Sequence, residues 1–484
     1  MRYINKRDLY IVANYLGKIM QGMGIAILSP LIVALIYQEH IYYIGFIIPS
    51  LISIIIGTLL GKLNSTCKRV RLKHGMIVSS LAWLWAALIG ALVMYTCLEI
   101  SFINAFFENM SAWTGSGFTV FTNVEILPRS ILFLRSLEQW IGGLGIVVIM
   151  IGILIHSGTA TSCLYKSEAR EERIKPSVAN TLKKILQIYL IYTFIGIVLF
   201  IIAGMPIFDA INNTFTAIST GGMSIKNANM RFYQNNVYYT ISIFIMILGA
   251  TSFLSHYQAV KTRGKSIFKD IQFTVMIGLV ILASVILTLA TNFMPMDVVY
   301  HVTSAVTTTG ASINSATNIA AWTTFMKGII IILMVIGGAA GSTVGAVKIV
   351  RVITLIRGIY KNIINIISPE GRIVNMKMSN KQLNEKQIRK ASSYISIYLI
   401  FIVIGWLVMI FYGFDGMNSL FEVVSAQGNV GLSTGLVNGQ MPFGAKIMFI
   451  FNMWIGRLEI IPVLVLLRSI IELFKGIVSK NPYI

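Results

Sequence analysis

The stretch Ser111-Ala-Trp-Thr-Gly-Ser-Gly117 lies between two long apolar runs, and versions of it return three times. They are Thr216-Ala-Ile-Ser-Thr-Gly-Gly222, Ser304-Ala-Val-Thr-Thr-Thr-Gly310 and Ser425-Ala-Gln-Gly-Asn-Val-Gly431. Each reads Ser or Thr, then Ala, four residues, and a closing Gly. Thirteen residues before each closing glycine stands Asn104, Asp209, Asp297 or Asn418. Asn and Asp cap helix N-termini by accepting a free backbone N–H, so each is expected to open a short helix of about two turns before the polar stretch. A single glycine-rich loop reads as an ordinary turn. Four copies in register, each between two apolar runs, are an internal repeat.

The apolar runs set the class. The chain has 484 residues, 56% of them hydrophobic and only 12% charged. Its runs reach the roughly 20 residues that a helix needs to cross a bilayer, and they lack the strand alternation of a β-barrel. Spans are expected near 9–35, 43–61, 76–98, 131–156, 185–205, 236–258, 271–292, 324–350, 393–413 and 443–474. The first is read as retained, since no small-residue cleavage site follows it. Cys67, Cys97 and Cys163 have no CxxC spacing and suggest neither a disulfide framework nor a zinc site.

The net charge of +21 is distributed by topology. Segments 1–7, 62–75, 157–184, 259–270, 348–392 and 475–484 carry 30 of the 39 Lys and Arg, whereas the opposite segments carry only Arg129, Lys226 and Arg231. That asymmetry places both termini in the cytoplasm. It also makes anionic membrane lipid or a cytosolic protein the expected partner of the basic surface, with no nucleic acid.

The expected architecture is an all-α polytopic membrane protein with about ten transmembrane helices and four re-entrant pore loops in pseudo-fourfold arrangement. A two-helix hairpin and cytoplasmic loop fill 1–75. Repeats follow at 76–156, 157–258, 259–350 and 393–484, with a basic cytoplasmic loop at 351–392. A half-helix that stops inside a membrane leaves its last carbonyls without partners. Such backbone is tolerated only where protein or a water-filled path receives it. Four of these units around one axis turn carbonyls and negative helix ends toward a central path. Carbonyl rings replace the hydration shell of a monovalent cation. Hydroxyls at Thr114, Ser116, Ser219, Thr220 and Thr307 to Thr309 add further oxygens, and no Asp or Glu in the four heptads suggests a divalent ion.

These four loops resemble those of the superfamily of K⁺ transporters that contains TrkH, KtrB and the plant HKT proteins. The likeness covers the chain from about residue 76 onward, and the additional hairpin at 9–61 is similar to TrkH rather than KtrB. The resemblance implies a selectivity filter at Thr114, Gly115, Ser116 and Gly117; Ser219, Thr220, Gly221 and Gly222; Thr307, Thr308, Thr309 and Gly310; and Gly428, Asn429, Val430 and Gly431. Its ion would be K⁺, with Rb⁺ as surrogate, because HKT members that prefer Na⁺ carry Ser at the position of Gly117. The resemblance further implies a homodimer in a bacterial inner membrane and a cytosolic TrkA-like nucleotide-binding regulatory subunit. No cofactor is expected in this chain, and any nucleotide would bind that partner.

Residues 334–351 interrupt the eighth span with Gly337, Gly338, Ala339, Ala340, Gly341, Ser342, Thr343 and Gly345. Small residues there suit close helix packing, or they break the helix. By resemblance they form an intramembrane gating loop that obstructs the pore, with Lys348 following it. The stretch contains no Gly-Lys-Ser/Thr and is not a Walker A site. Arg457 lies within the tenth span, with Glu459 two residues on. An intramembrane charge normally faces water or the protein interior, and a local Arg–Glu pair is the alternative. By resemblance Arg457 projects into the pore below the filter as an electrostatic barrier.

Arg135 reads as a structural anchor. Glu108 and Glu422, nine residues before their closing glycines, either concentrate cations at the mouth or make local hydrogen bonds. His256 and His301 stand alone and suggest no metal site. A solute:cation secondary transporter would show inverted repeats instead. An intramembrane enzyme would need a convergent catalytic set. A Na⁺-coupled or Na⁺-translocating member of the same superfamily remains the nearer alternative.

Overall fold

A computed structural model describes residues 6–63, 70–146, 178–369, 377–378 and 381–478. Cys67, Cys163, the inner end of the fourth expected span and much of the basic segments lie outside the described residues. The regular secondary structure of the described residues is helical apart from a short antiparallel ribbon, Lys377–Met378 with Lys381–Gln382, and non-helical stretches join the helices.

The chain opens with α1 (Lys6–Leu28), α2 (Leu31–Ile36) and α3 (Tyr43–Gly61). α1 and α3 pack through small residues, since Gly17 and Gly57 each lie against the other's carbonyl oxygen. Ser53 donates to the Met20 carbonyl at 2.7 Å and accepts from Trp85 Nε1 at 2.9 Å, which ties the hairpin to α4 (Leu72–Cys97). At its other end Glu39 accepts from the N–H groups of Arg129 and Ser130 at 2.7 and 3.1 Å. A carboxylate at that helix N-terminus satisfies free donors and complements the dipole.

The remainder repeats one unit: a long helix, a short buried helix, an extended stretch, and a second helix. The long helices are α4, α7 (Val178–Ile202), α11 (Ile271–Ala290) and α16 (Glu385–Phe411). The short ones are α5 (Phe102–Thr114), α8 (Ile207–Ile218), α12 (Pro295–Val306) and α17 (Gly416–Gln427). The second helices are α6 (Arg129–Leu144), α9 (Asn236–Ala250), α14 (Thr324–Ile336) and α18 (Phe443–Arg457). The rest are α10 (Phe253–Lys261), α13 (Ala316–Ala320), α15 (Ile349–Ile367) and α19 (Ile461–Val478).

Asn104, Asp209, Asp297 and Asn418 do not cap the short helices. The caps are Ser101, Pro206, Met294 and Asp415, all with extended backbone, so the expected capping residues sit three positions inside. Pro206 presets the entry to α8 and Pro295 begins α12, where a missing N–H costs nothing. Asp209 and Asp297 still complement the dipole from within the first turn.

Six described stretches are long and apolar enough to cross a membrane as single units, and two more do so as bent pairs. The bends answer to the sixth and tenth expected spans: α9 turns 100° into α10, and α18 turns 115° into α19. The eighth breaks outright. α14 ends at Ile336, and helix resumes only at Ile349. The basic segment after it is correspondingly shorter as a loop, because α15 continues to Ile367.

The second helices share a register that the loop repeat alone did not reveal: Ile141-Gly142, Leu248-Gly249, Ile336-Gly337 and Ile455-Gly456. A Cβ at Gly142, Gly249 or Gly456 would lie 1.9, 2.4 or 2.0 Å from the carbonyl oxygen of Trp113, Ile218 or Gln427. Each of those carbonyls stands four residues before its closing glycine. This contact therefore seats three short helices against their second helices.

Gly142→Ala is expected to lower the thermal midpoint of the detergent-solubilised chain by the equivalent of about 1–3 kcal/mol of overpacking. Gly278→Ala on α11, whose added Cβ meets nothing within 4 Å, should leave it unchanged.

Candidate functional site

The extended stretches meet at the centre of the four units. A Cβ on Gly117 would lie 2.5 Å from the carbonyl oxygen of Gly221, and one on Gly222 would lie 2.0 Å from that of Thr309. One on Gly310 would lie 1.9 Å from that of Val430, and one on Gly431 would lie 2.4 Å from that of Ser116. Every closing glycine thus abuts the residue just before the next closing glycine, and the fourth returns to the first. The ring closes in chain order.

Backbone handedness repeats around it. φ is +76°, +68°, +73° and +99° at Gly117, Gly222, Gly310 and Gly431. Two residues earlier it is +70°, +54°, +53° and +52° at Gly115, Thr220, Thr308 and Asn429. Left-handed β-branched residues are costly, about 1–3 kcal/mol each, and persist only where the surroundings impose them.

Those surroundings are hydrogen bonds from the short helices. Ser111 and Ser304, the first residues of their heptads, donate to the carbonyls of Phe118 and Ala311, both at 2.7 Å. Ser425 accepts from the Gly431 N–H at 3.0 Å. Nine residues before three of the closing glycines, a buried side chain grips the residue two beyond it. Glu108 accepts from Thr119 Oγ1 at 3.0 Å, His301 Nε2 pairs with Ser312 Oγ at 3.0 Å, and Glu422 accepts from Ser433 Oγ at 2.7 Å. Both glutamates are fully buried, which selects local bonding over a role at an open mouth.

The second unit has Asn213 at that position, and other groups hold its stretch. Gln139 on α6 donates to the Gly221 carbonyl at 2.7 Å and accepts from Met223 N–H at 3.0 Å. Arg135 pairs with Glu108 at 2.8 Å and donates to the Ser224 carbonyl at 3.0 Å, so it anchors two stretches at once. Asn429 links the fourth to the first by donating to Ser116 Oγ at 2.9 Å.

The hydroxyls expected to add oxygens to the path are engaged within the framework. Thr114 and Thr307 donate to the carbonyls of Met110 and Thr303 at 2.6 and 2.7 Å, and they pair with Ser116 and Thr309, both at 2.8 Å. Ser219 donates to the Thr216 carbonyl at 3.2 Å. Buried hydroxyls rarely remain without partners.

The broken segment 337–348 lies against the C-terminal ends of the short helices. Thr343 Oγ1 contacts Thr220 Oγ1 at 3.1 Å, and Gly345 N–H donates to Thr308 Oγ1 at 3.1 Å. A Cβ on Gly345 would lie 2.2 Å from the Gly428 carbonyl, so three of the four loops meet this segment. Gly338 and Ala339 pack beside Ala250, whose carbonyl accepts the Ala339 N–H at 3.1 Å. Ala340 N–H donates to Gln272 Oε1 at 2.8 Å, the Gly341 carbonyl accepts from Phe253 N–H, and Ser342 closes a turn onto Ala339. φ is +69° at Gly337, +75° at Gly341 and +76° at Lys348.

Arg457 reaches this segment. It donates to the carbonyl of Thr343 at 2.6 Å and to those of Gly142 and Gly143 at 2.5 and 2.8 Å. The local pair with Glu459 does not form. Glu459 accepts from Lys348 at 2.5 Å and also from Arg351. α18 ends at Arg457, left-handed backbone at Glu459 and Ile460 (φ +59° and +62°) turns the chain into α19, and the two side chains part.

The profile of the TrkH family, described as cation transport protein, matches residues 45–279 and 271–473. The chain is 39% identical over 469 residues to an uncharacterized cation transporter of Methanocaldococcus jannaschii, covering 96% of this chain and 97% of that one. It is 28% identical over 457 residues to the Trk system potassium uptake protein TrkH of Salmonella typhimurium, covering 90% and 94%. The crystal structure of the potassium transporter TrkH from Vibrio parahaemolyticus superposes with a TM-score of 0.83 at 26% identity, covering 95% of this chain and 98% of that one.

Glu422→Ala removes the acceptor of the Thr434 and Leu436 N–H groups, which bond it at 2.8 and 3.3 Å. Each donor left unsatisfied is expected to cost about 1–3 kcal/mol. The thermal midpoint should fall, and hydrogen exchange of the 433–436 amides should quicken relative to other buried amides.

Proposed function

The chain belongs to the TrkH family of cation transport proteins, and on that premise we propose that it takes up K⁺ across the cell membrane through the ring of four loops. The observation that carries this reading is the closed contact of Gly117, Gly222, Gly310 and Gly431, each against the carbonyl residue of the next loop. A dehydrating monovalent ion needs many oxygens at one fixed distance, and backbone held this closely by side-chain bonds supplies them without moving. The potassium uptake named for the similar Salmonella and Vibrio proteins supports K⁺ as the ion.

Residues 337–348 act as the gate in this reading. They cross the inner ends of three short helices and are bonded to Thr220 and Thr308, where an ion leaving the ring would emerge. Arg457 acts as the barrier and as a latch, since its guanidinium holds the Thr343 carbonyl. Opening requires exchange of that bond for water or another acceptor. Lys348 and Arg351 extend the latch to Glu459, and thereby to α15. Both termini are cytoplasmic in this reading, supported by the asymmetry of Lys and Arg, and the resemblance to TrkH implies that the protein works as a homodimer. Its basic 351–392 region would receive a cytosolic TrkA-like nucleotide-binding subunit.

Expression in a bacterial host deficient in K⁺ uptake is expected to restore growth on low K⁺, with ⁸⁶Rb⁺ uptake that Na⁺ does not replace. Gly117→Ser should raise Na⁺ relative to Rb⁺ entry, because its Cβ must displace the Gly221 carbonyl; unchanged selectivity in a folded variant would refute the filter. Deleting 338–343 should raise flux. Lower flux with normal folding would assign the segment to packing instead.

A further inference from the structure

The first unit contains a buried carboxyl that neither the ring nor the segment beneath it uses. Glu138 on α6 is 1% exposed, and neither of its carboxyl oxygens makes a well-formed hydrogen bond; the Trp113 indole N–H on α5 lies close to the carboxyl and is itself left without a well-formed partner. Asn109 on α5 faces it. The Asn109 Nδ2 group donates to the Ala105 carbonyl at 2.7 Å, which leaves Oδ1, also without a partner, pointing the other way. A Cβ on Gly90 of α4 would lie 2.2 Å from Asn109 Oδ1 and 2.4 Å from Glu138 Oε1. Two acceptors therefore share one small space that exists because residue 90 is glycine.

The other units show what this node ordinarily holds. Gly196 packs on Thr214 and Ile245, and Gly405 packs on Val423 and Asn452, at the registers of Asn109 and Glu138. The third unit has Val302 and Leu333 at those registers. The node is uncharged in all three. In the first, the charged groups facing Glu138 are Glu108 on α5 and Arg135 on its own helix, with no other charge brought by α2, α4 or α8. Arg135 is committed to Glu108 and to the Ser224 carbonyl. One guanidinium thus serves a neighbourhood that holds two carboxyls and is bonded to one of them. One loosely placed neutral indole donor does not offset the cost of burying an ionised carboxylate, and two opposed acceptors repel unless a proton lies between them.

We infer that Glu138 and Asn109 form a resident proton-binding site, with the neutral carboxyl of Glu138 donating its O–H to Asn109 Oδ1. Losing that proton to water would place a carboxylate against Asn109 Oδ1 and beside the Glu108–Arg135 pair. That pair fastens the stretch after Gly117 through Thr119 and Val120. Glu138 is therefore a positioning residue whose proton keeps the first loop in place. Raising the pH through its ionisation would loosen that loop, so flux would fall on the alkaline side. The consequence for flux rests on the filter reading above; the proton itself does not.

Infrared spectroscopy of the full chain in lipid vesicles separates the two. At neutral pH a carboxylic-acid carbonyl band is expected that vanishes in Glu138→Gln and in Glu138→Asn, the residue found at the matching register of the fourth unit. It should shift in Asn109→Val, the substitution that copies Val423. No such band, or one that persists in both Glu138 variants, overturns the proton site. Loss of the wild-type band on adding Na⁺ overturns it in favour of a cation. In ⁸⁶Rb⁺ uptake against pH, the wild type should show an alkaline decline that Glu138→Gln loses. A decline of equal size in that variant overturns the link to the first loop.

Discussion

Four backbones approach one another more closely than any side chain would permit, and the remaining architecture serves that approach. At each closing glycine the missing Cβ is replaced by a carbonyl oxygen from the next loop, at distances no real Cβ tolerates. Apolar neighbours such as Phe118 and Val430 pack around the ring, but they do not set its backbone handedness. Hydrogen bonds fix it, from Ser111, Ser304 and Ser425 at the heptad starts and from Glu108, His301 and Glu422 nine residues before the glycines. In a low-dielectric interior such bonds are strong when satisfied and expensive when broken. Stiffness at the ring follows from that balance.

The same logic explains where the fourfold pattern lapses. At the register after the shared Gly142, Gly249, Gly337 and Gly456 stand Gly143, Ala250, Gly338 and Arg457. Three positions are small, and the chain packs closely there: Gly143 lies on Ser219, and Gly338 lies beside Ala250. The fourth is an arginine whose side chain crosses to Gly142, Gly143 and Thr343. The third unit breaks after Gly337 and sends 338–348 across its neighbours. The departures converge on one face, where Arg457 meets the broken segment. Equivalent scaffolds with departures in the third and fourth units yield a centre that is symmetric at the ring and asymmetric beneath it.

Much of this was legible in the residues. The four heptads, their spacing from the short helices and the glycine-rich break at 337–345 could all be found by comparing the chain with itself. Other features escaped for definite reasons. In the second and third units the expected caps were misplaced by three residues because Pro206 and Pro295 begin or precede helices through a fixed φ rather than through a side-chain bond, whereas in the fourth Asp415 itself accepts from the Asn418 N–H. The roles of Glu108 and Glu422 stayed open because burial decides between an attractor at the mouth and a hydrogen-bond acceptor, and burial is not written in spacing. Gln139 could not be singled out, since its partners, Gly221 and Met223, lie 82 and 84 residues away.

The sequence by itself determined the class, the repeat and the residues of the ring, because hydropathy and glycine register are local properties that survive without coordinates. Only the tertiary structure decided the order in which the loops meet, the partner of Arg457 and the company of Glu138. Those depend on which distant backbones come within hydrogen-bond reach. Arg457 and Glu459 are two residues apart, yet the helix ends at the first and left-handed backbone begins at the second, so one reaches Thr343 and the other Lys348 and Arg351. Proximity along the chain suggested a pair; the fold of the chain separated it.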